Sequence, residues 1–301
     1  MARLDVNRSG EMEMFVRVVE AGGFSAAARA AGMTPSAISR LVARLEARLG
    51  ARLVNRSTRR LQLTAEGCTF YERSLQVLAD LDEAERGAAG AEQAAGRLKV
   101  SVNVPIGRHF LLPRLGDFLQ RHPRVVVDVV LSDEVVDLIA QRTDIAIRSG
   151  PLKTSGLIAR KLGEAPMMIV GAPAYLAARG KPARPADLAG HNRLGFGFAR
   201  TRAGWPLRDG GDVIVLPPSG NALASDGEAL RLMALSGLGL ARLAAFQLRD
   251  DIAAGRLVPV LEDCNPGDAD PVHAVFLGQD GLMPARVRAF LDFLVDAVRI
   301  D

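Results

Sequence analysis

Residues 24–67 read FSAAARAAGMTPSAISRLVARLEARLGARLVNRSTRRLQLTAEG, and this stretch decides the fold of the N-terminal part of the chain. Thr34 is a good N-cap, and Pro35 stands at the first helical position, where its missing N–H costs nothing. From there Ile38, Leu41, Val42 and Leu45 follow at i, i+3, i+4 and i+7, an apolar stripe of helical period. The opposite face carries Ser36, Ser39, Arg40 and Ala43, with Arg44 at its margin. Upstream, Ser25 is placed to cap an alanine-rich helix running to about Ala31, which Gly32 ends. Before that, Met12, Phe15, Val16 and Val19 predict an amphipathic helix over 11–21, closed by Gly22-Gly23. After Gly50, residues 52–54 and 61–63 predict two short strands around a loop that carries Arg56, Arg59 and Arg60. Helix, turn, helix and hairpin in this order make a winged helix-turn-helix.

The charge is concentrated on this head. Residues 1–66 hold eleven arginines against six acids, net +5, which leaves −1 for the remainder of a chain whose total is +4. Between positions 40 and 60 there are seven arginines and one acid, Glu46. A basic head on a near-neutral body suits contact with a polyanion, although charge alone also describes a solvated surface. The exposed side of the third helix is small, hydroxylated and basic. Small residues permit close approach to a major groove, hydroxyls serve phosphates and base edges, and arginine pairs bidentately with guanine. An arginine-tipped hairpin would reach a flanking backbone or minor groove.

The same run resembles the DNA-binding segment of the LysR-type transcriptional regulators. The resemblance is carried by Phe24-Ser25, Ala27-Ala28, Ser39-Arg40, Leu45-Glu46, Leu49-Gly50, Leu53, Arg56, Leu63-Thr64 and Gly67, dense and collinear. Many members have Gln-Pro where this chain has Pro35-Ser36. The Thr-Pro-Ser form looks like a subgroup variant, and base preference does not transfer from the Gln-Pro members. The expected DNA-facing set is Ser25, Thr34, Pro35, Ser36, Ser39, Arg40, Arg44, Arg56 and Arg59.

Thr64 is placed to cap a helix from about 65 to 87, where Phe70, Ser74, Val77, Leu81, Ala84 and Ala88 repeat at alternate spacings of four and three. Such a seam needs a partner, either its own domain or a second copy. The resemblance implies a linker helix that dimerises, so that two heads meet a two-fold operator. Residues 87–96, rich in small side chains, read as a hinge.

Beyond the hinge, strands are predicted at 98–104, 125–131, 144–148, 167–171, 213–216, 240–243 and 272–277. Helices are predicted at 107–120, 135–141, 227–236 and 286–298. Strands alternating with helices predict a parallel, helix-covered sheet, as one sheet or as two lobes. Asp144-Ile145-Ala146-Ile147-Arg148, Pro173-Ala174-Tyr175-Leu176, Asp187-Leu188-Ala189-Gly190-His191 and Gly237-Leu238-Gly239-Leu240 resemble the effector-binding half of LysR-type regulators. That half is similar to periplasmic solute-binding proteins. The resemblance implies two lobes, about 97–165 with 268–301, and about 166–267. The whole chain is thus expected to be α/β overall, with a head over 1–66, a linker over 67–96 and a two-lobed periplasmic-binding-protein-like domain over 97–301.

Ligands of parallel sheets sit beyond strand carboxyl ends, near helix N-termini that favour anions. On that rule the effector cleft takes Asn103, Pro105, Ile106 and Gly107, then Ser132, Arg148 and Ser149, and from the other lobe Phe196, Gly197, Ser225 and Asp226. Arg148 is placed either to hold a carboxylate or to pair with Asp144 or Asp226. Many LysR-type relatives carry Ser or Thr where Pro105 and Ile106 stand, which implies a less polar pocket and a less anionic effector.

Hydrophobic residues at 49% and charged residues at 24% place the chain among ordinary globular proteins. No apolar run reaches the ~18–20 residues of a membrane span, and no apolar core follows the N-terminal arginines, so a cytoplasmic protein is expected. Two distant cysteines, Cys68 and Cys264, exclude a disulfide scaffold. His109, His122, His191 and His273 lack metal-ligand spacing, and neither a cofactor nor a metal is expected. Gly237-Leu238-Gly239 reads as a helix terminator and Trp205 as a plug of the second lobe. With no nucleophile elbow, phosphate loop or paired catalytic carboxylates, the chain is read as no enzyme. The expectation is a sequence-specific regulator that binds double-stranded DNA, a small-molecule effector, a second or further copies of itself and RNA polymerase. The alternative is a small-molecule-binding protein or enzyme whose basic head only docks.

Overall fold

The computed structural model describes residues 7–55, 61–88, 93–134, 143–152, 157–198, 204–277 and 283–300. They fall into two compact units, residues 1–92 and 93–301.

In the first unit, α1 (Arg8–Glu20), α2 (Phe24–Ala31) and α3 (Pro35–Leu49) enclose a core of Phe15, Val18, Ala27, Ala28, Ile38, Val42, Leu45 and Leu53. Glycines in left-handed conformation end α2 and α3, Gly32 at φ 64° and Gly50 at φ 67°. Thr34 caps α3 by accepting from the Ala37 amide at 3.2 Å, with Pro35 in the first turn. The cap of α2 differs from expectation. Gly23 holds that place with no side-chain bond, and Ser25 lies exposed inside the first turn. The helix starts at Phe24 because that ring packs into the head core.

The wing consists of β1 (Val54–Asn55) and β2 (Gln62–Leu63), antiparallel, with Val54 opposite Leu63. The expected first strand at 52–54 is thus shifted by one residue. Arg56, Arg59 and Arg60 lie outside the described residues. Glu46 of α3 ties the wing down: its carboxylate accepts from the amides of Leu53 at 2.8 Å and Val54 at 3.1 Å. Thr64 Oγ1 donates to the Arg52 carbonyl at 2.6 Å and accepts from the Gly67 amide at 2.9 Å, which starts α4 (Ala65–Ala88). Phe70 and Tyr71 of α4 join the head core, and the Phe70 ring packs tilted against Phe15 at 5.6 Å between centroids. The expected seam therefore divides. Phe70 packs within its own unit and Ser74 is fully buried, while Val77 at 49% and Leu81 at 38% are exposed. The side chains of Ala84 and Ala88 lie outside those described.

The second unit is built on a sheet in the order β11-β6-β13-β5-β3-β4, with β12 also on β6. Its strands are β3 (Gly96–Val102), β4 (Val125–Leu131), β5 (Ile145–Ser149), β6 (Leu157–Gly171), β11 (Ala241–Ala244), β12 (Val258–Val260) and β13 (Ala269–Leu277). Only β3, β4 and β5 run parallel within it, and every pair made by β6 or β13 is antiparallel. The sheet is therefore mixed, not parallel as expected. β13 returns from the far end of the chain and inserts between β5 and β6, so it enters from the opposite direction. Along β6 the partner changes: residues 157–166 pair with β13, whereas 167–171 pair with β11 and β12. One strand thus serves two lobes.

The first lobe buries Leu98, Val100, Val102, Leu111, Phe118, Ile145, Ile147 and Phe290 beneath α10 (Ala285–Ala297) and the helix that follows β3. That helix is α5 (Val104–Ile106), a π-helical turn over Gly107–Leu111 and α6 (Leu112–Arg121). Pro113 follows the π turn and has no N–H to return to His109, which accounts for the widened turn. The expected helix at 135–141 lies outside the described residues. The second lobe holds α7 (Pro173–Arg179), α8 (Gly227–Leu235) and α9 (Ala245–Ala253), with a parallel pair β7 (Gly195–Phe196) and β10 (Leu223–Ala224). The predicted strand at 213–216 is not part of an alternating α/β series. It is β9 (Asp212–Leu216) of a hairpin with β8 (Trp205–Asp209), turned by Gly210 at φ 63° and Gly211. Trp205 is buried in the second-lobe core beside Tyr175, Leu188 and Leu207. Gly237, at φ 77°, ends α8, and a Cβ on Gly239 would stand 2.3 Å from the Asn192 carbonyl oxygen. The Gly-x-Gly is thus a helix stop and a close backbone approach.

A Cβ at Gly67 would lie 2.0 Å from the Leu53 carbonyl oxygen. Gly67→Ala is expected to destabilise the head by about 1–3 kcal/mol, measured as an earlier urea midpoint; an unchanged midpoint would refute the tight approach of α4. Burial holds the imidazoles of His191 and His273 below their ordinary 6.5, against the pull of Asp187 on His191. Their folded pKa values are depressed, so this stability is present above about 6.5 and is lost as pH falls below it. Melting temperature should fall between pH 7 and 5.5, and the fall should shrink in a His191→Phe, His273→Phe double variant.

Candidate DNA interface and effector cleft

The face of α3 is fixed from behind. Ile38, Val42 and Leu45 are buried, which turns Ser36, Arg40 and Arg44 outward, with Ser39 half-buried at the edge of the same face. Thr34 Oγ1 and Ser36 Oγ lie 3.1 Å apart, and Arg40 Nε donates to the Ser36 carbonyl at 3.4 Å, laying the guanidinium back along its own helix. Glu11 of α1 is buried and faces α3, meeting Arg44 at 3.4 Å and Arg48 at 3.2 Å. These pairs fix the rotation of α3 against α1. Arg44 keeps 68% of its side chain exposed and stays available to a phosphate. Thr34 and Pro35 are exposed at the start of the same helix, and Ser25 is exposed in the first turn of α2. Sequence reasoning had no signal for the Glu11 link, because residues 37 positions apart meet only in the fold.

In the second unit a cleft of about 360 Å³, counted out to its open mouth, lies where the lobes meet. Of the expected residues, Asn103, Pro105, Ile106, Ser149 and Phe196 line it. Gly107, Ser132, Arg148, Gly197, Ser225 and Asp226 do not, each for a local reason. Gly107 faces inward, where a Cβ would meet Leu131 at 2.5 Å. Ser132 Oγ accepts from the Glu134 amide at 3.2 Å. Arg148 is held by Ser101 Oγ at 2.7 Å and the Ile147 carbonyl at 3.0 Å, and burial lowers its pKa against the opposing charge of Asp133. Neither Asp144 nor Asp226 is its partner in those bonds. Asp144 accepts from the Lys99 amide at 2.7 Å. Asp226 caps α8 by accepting from Ala229 at 2.9 Å and takes the Ser225 hydroxyl at 3.0 Å. Gly197 is exposed beyond β7, its amide donated to Ala224 at 2.9 Å.

The cleft also holds residues the sequence did not single out. Asp133 bridges the lobes. One oxygen accepts from Asn103 Nδ2 and the Val104 amide, both at 2.7 Å, and the other from the Gly227 amide of α8 at 3.1 Å. The strand-end rule reached Ser132 and stopped one residue short. Applied to β11 it would have reached Leu243, Ala244, Phe246 and Gln247, which line the second-lobe wall. Met167 and Asp270 come from the strands that cross between lobes, where strand ends give no cue. Arg242 lines the cleft and is paired with Asp268 at 2.5 Å. A second bridge joins His109 Nε2 to Glu228 Oε1 at 3.0 Å, beside Phe246. Burial pushes the Glu228 carboxyl up, but the His109 hydrogen bond and the charges of His109, Arg231 and Arg108 carry it below its ordinary value. Among the described residues no helix is long and apolar enough to cross a membrane.

Comparison with known proteins covers both units. Residues 10–68 match the bacterial regulatory helix-turn-helix protein, lysR family, and residues 91–299 match the LysR substrate binding domain. The HTH-type transcriptional regulator CrgA of Neisseria meningitidis serogroup C is 39% identical over 290 residues, 96% of each chain. The solved structure of CrgA from Neisseria meningitidis superposes with TM-score 0.63 at 38% identity, covering 96% of this chain and 98% of that one. The full-length Vibrio cholerae virulence activator AphB gives TM-score 0.60 at 26% identity, covering 96% and 99%. These relatives span head and body together and are named as regulators, which leaves the docking-head enzyme without support. The chain belongs to the LysR family, as a DNA-binding transcriptional regulator with a helix-turn-helix head and an effector-binding α/β domain.

Proposed function

We propose that the chain reads operator DNA with the outward face of α3 and responds to a small molecule held between the lobes of its second unit. The observation that carries this reading is the rigid mounting of that face. A buried stripe, a capped N-terminus and the Glu11 ion pairs hold Ser36, Ser39 and Arg40 on one face, which supports a helix bound in a groove. In this reading Arg44 contacts a phosphate, Ser25, Thr34 and Pro35 lie against the backbone at the helix start, and Arg56 and Arg59 reach the flanking DNA from the wing. The cleft residues Asn103, Pro105, Ile106, Ser149 and Phe196 hold the effector. Gly107, Ser132, Arg148, Gly197, Ser225 and Asp226 support the walls instead of touching it.

Two copies pair through the outer half of α4, where Val77 and Leu81 offer an apolar stripe at heptad spacing. Closure of the lobes changes how subunits pack, and with it DNA bending and contact with RNA polymerase. The effector must bind one arrangement better than the other, since equal affinity shifts nothing. Such a regulator works in the cytoplasm.

Footprinting across the promoter of the chain's own gene and its divergent neighbour, at fixed salt, tests the reading. Half-sites about one helical turn apart should be protected well below the concentration needed on random DNA. Uniform protection that collapses with salt would reduce the head to an electrostatic docking module. Arg40→Ala should cost about 1–3 kcal/mol on the operator and less on random DNA; equal losses would make Arg40 a phosphate contact. A Val77→Asp, Leu81→Asp variant should sediment as a smaller species and bind half-sites independently. Unchanged sedimentation would place the self-contact elsewhere.

A further inference from the structure

The sequence rule that places ligands at helix N-termini expects an anion in the cleft, and the structure shows that place filled from within. The amides of Val104 and Gly227 and the Asn103 side chain all converge on the Asp133 carboxylate. Arg242, the one cation among the described residues lining the cleft, is already given to Asp268. Asp270, 4% exposed, adds a further carboxylate to the wall. An incoming carboxylate would find the Val104 and Gly227 amides, Asn103 Nδ2 and Arg242 engaged and two acids on the wall, and burying a charge without a charged partner is costly.

The unmet demand is of the opposite kind. Gln247 lines the cleft at 7% exposure, and its Oε1 is buried without a hydrogen-bond partner. A buried acceptor in that condition marks a place where a donor is missing. Around it Pro105, Ile106, Met167, Leu243 and Phe246 form apolar walls. We propose that the cleft binds a small ligand with an apolar body that donates an N–H, amide or ammonium, to Gln247 Oε1, and that Asp133 excludes carboxylate ligands by occupying their position. The proposal rests on the reading of this cleft as the effector site, and it names the chemistry of the effector.

Three matched probes test it on the full-length protein: benzamide, benzylamine and benzoate, by thermal shift and calorimetry at pH 7.5. Benzamide and benzylamine should raise the melting temperature and benzoate should not. Gln247→Leu should weaken benzamide at least tenfold. Asp133→Ala, with Asp133→Asn as the milder companion, should admit benzoate by freeing the Val104 and Gly227 amides. Benzoate binding to the unaltered protein as well as benzamide does, or silence from both nitrogen probes, overturns the proposal. Ser149→Phe, which narrows the cleft, separates the two levels of failure. A shift that survives it places binding outside the cleft and defeats the effector-site reading. A benzoate shift that it abolishes keeps the cleft and defeats the donor chemistry alone.

Discussion

Strand β6 has to satisfy two lobes with one backbone. Nine of its first ten residues pair with β13, Leu162 being skipped at a bulge, and its last five pair with β11 and β12, so the lobes share a covalent and hydrogen-bonded spine. A spine of this kind leaves the lobes one boundary, and the chain's polar contacts gather along it. Met167 sits at the exchange of partners, with its carbonyl held by Asn265 at 2.8 Å and its amide given to Asp268 at 3.2 Å. Asp268 in turn holds Arg242. The cleft lies where β6 changes allegiance, at the end of its pairing with β13 and the start of its pairing with β11 and β12.

Across that boundary carboxylates join the lobes beside an apolar contact, in which Phe246 of the second lobe meets Phe110 of the first at 4.9 Å. Asp133 links the turn after β3 to the start of α8, and Glu228 links α8 to His109 and Arg108 of the π turn. Hydrogen bonds to a charged acceptor are worth about 1.5–3 kcal/mol each, enough to hold lobes together and small enough for a ligand to compete. The π turn stands at this junction because Pro113 breaks the helical ladder there, which sets His109 towards Glu228.

The head solves a different problem, holding one helix still while leaving its far face bare. Three features outside the recognition surface do this: Glu11 clamps Arg44 and Arg48, Glu46 takes the wing's first amides, and Gly67 lets α4 start against Leu53. Leu45-Glu46 and Leu63-Thr64 with Gly67, which look like plain helix and loop in one dimension, form a single joint in three.

Sequence alone determined what depends on neighbours in the chain. The stripe Ile38, Leu41, Val42, Leu45, the Thr34-Pro35 start, the Gly32 and Gly50 stops and the arginine count place three helices, a hairpin and a basic face, because period, caps and charge are local. The same locality placed Asn103, Pro105, Ile106 and Ser149 at the cleft, each at or just beyond a strand end. Tertiary structure decided the rest. The mixed sheet follows from β13 wedging between β5 and β6, a pairing across more than a hundred residues that no local period encodes. Arg148 is tied to Ser101, and Asp133 rather than Ser132 spans the lobes, because hydrogen bonds are satisfied by whatever the fold brings within about 3 Å. Residue type proposed the chemistry, and only proximity assigned the partners.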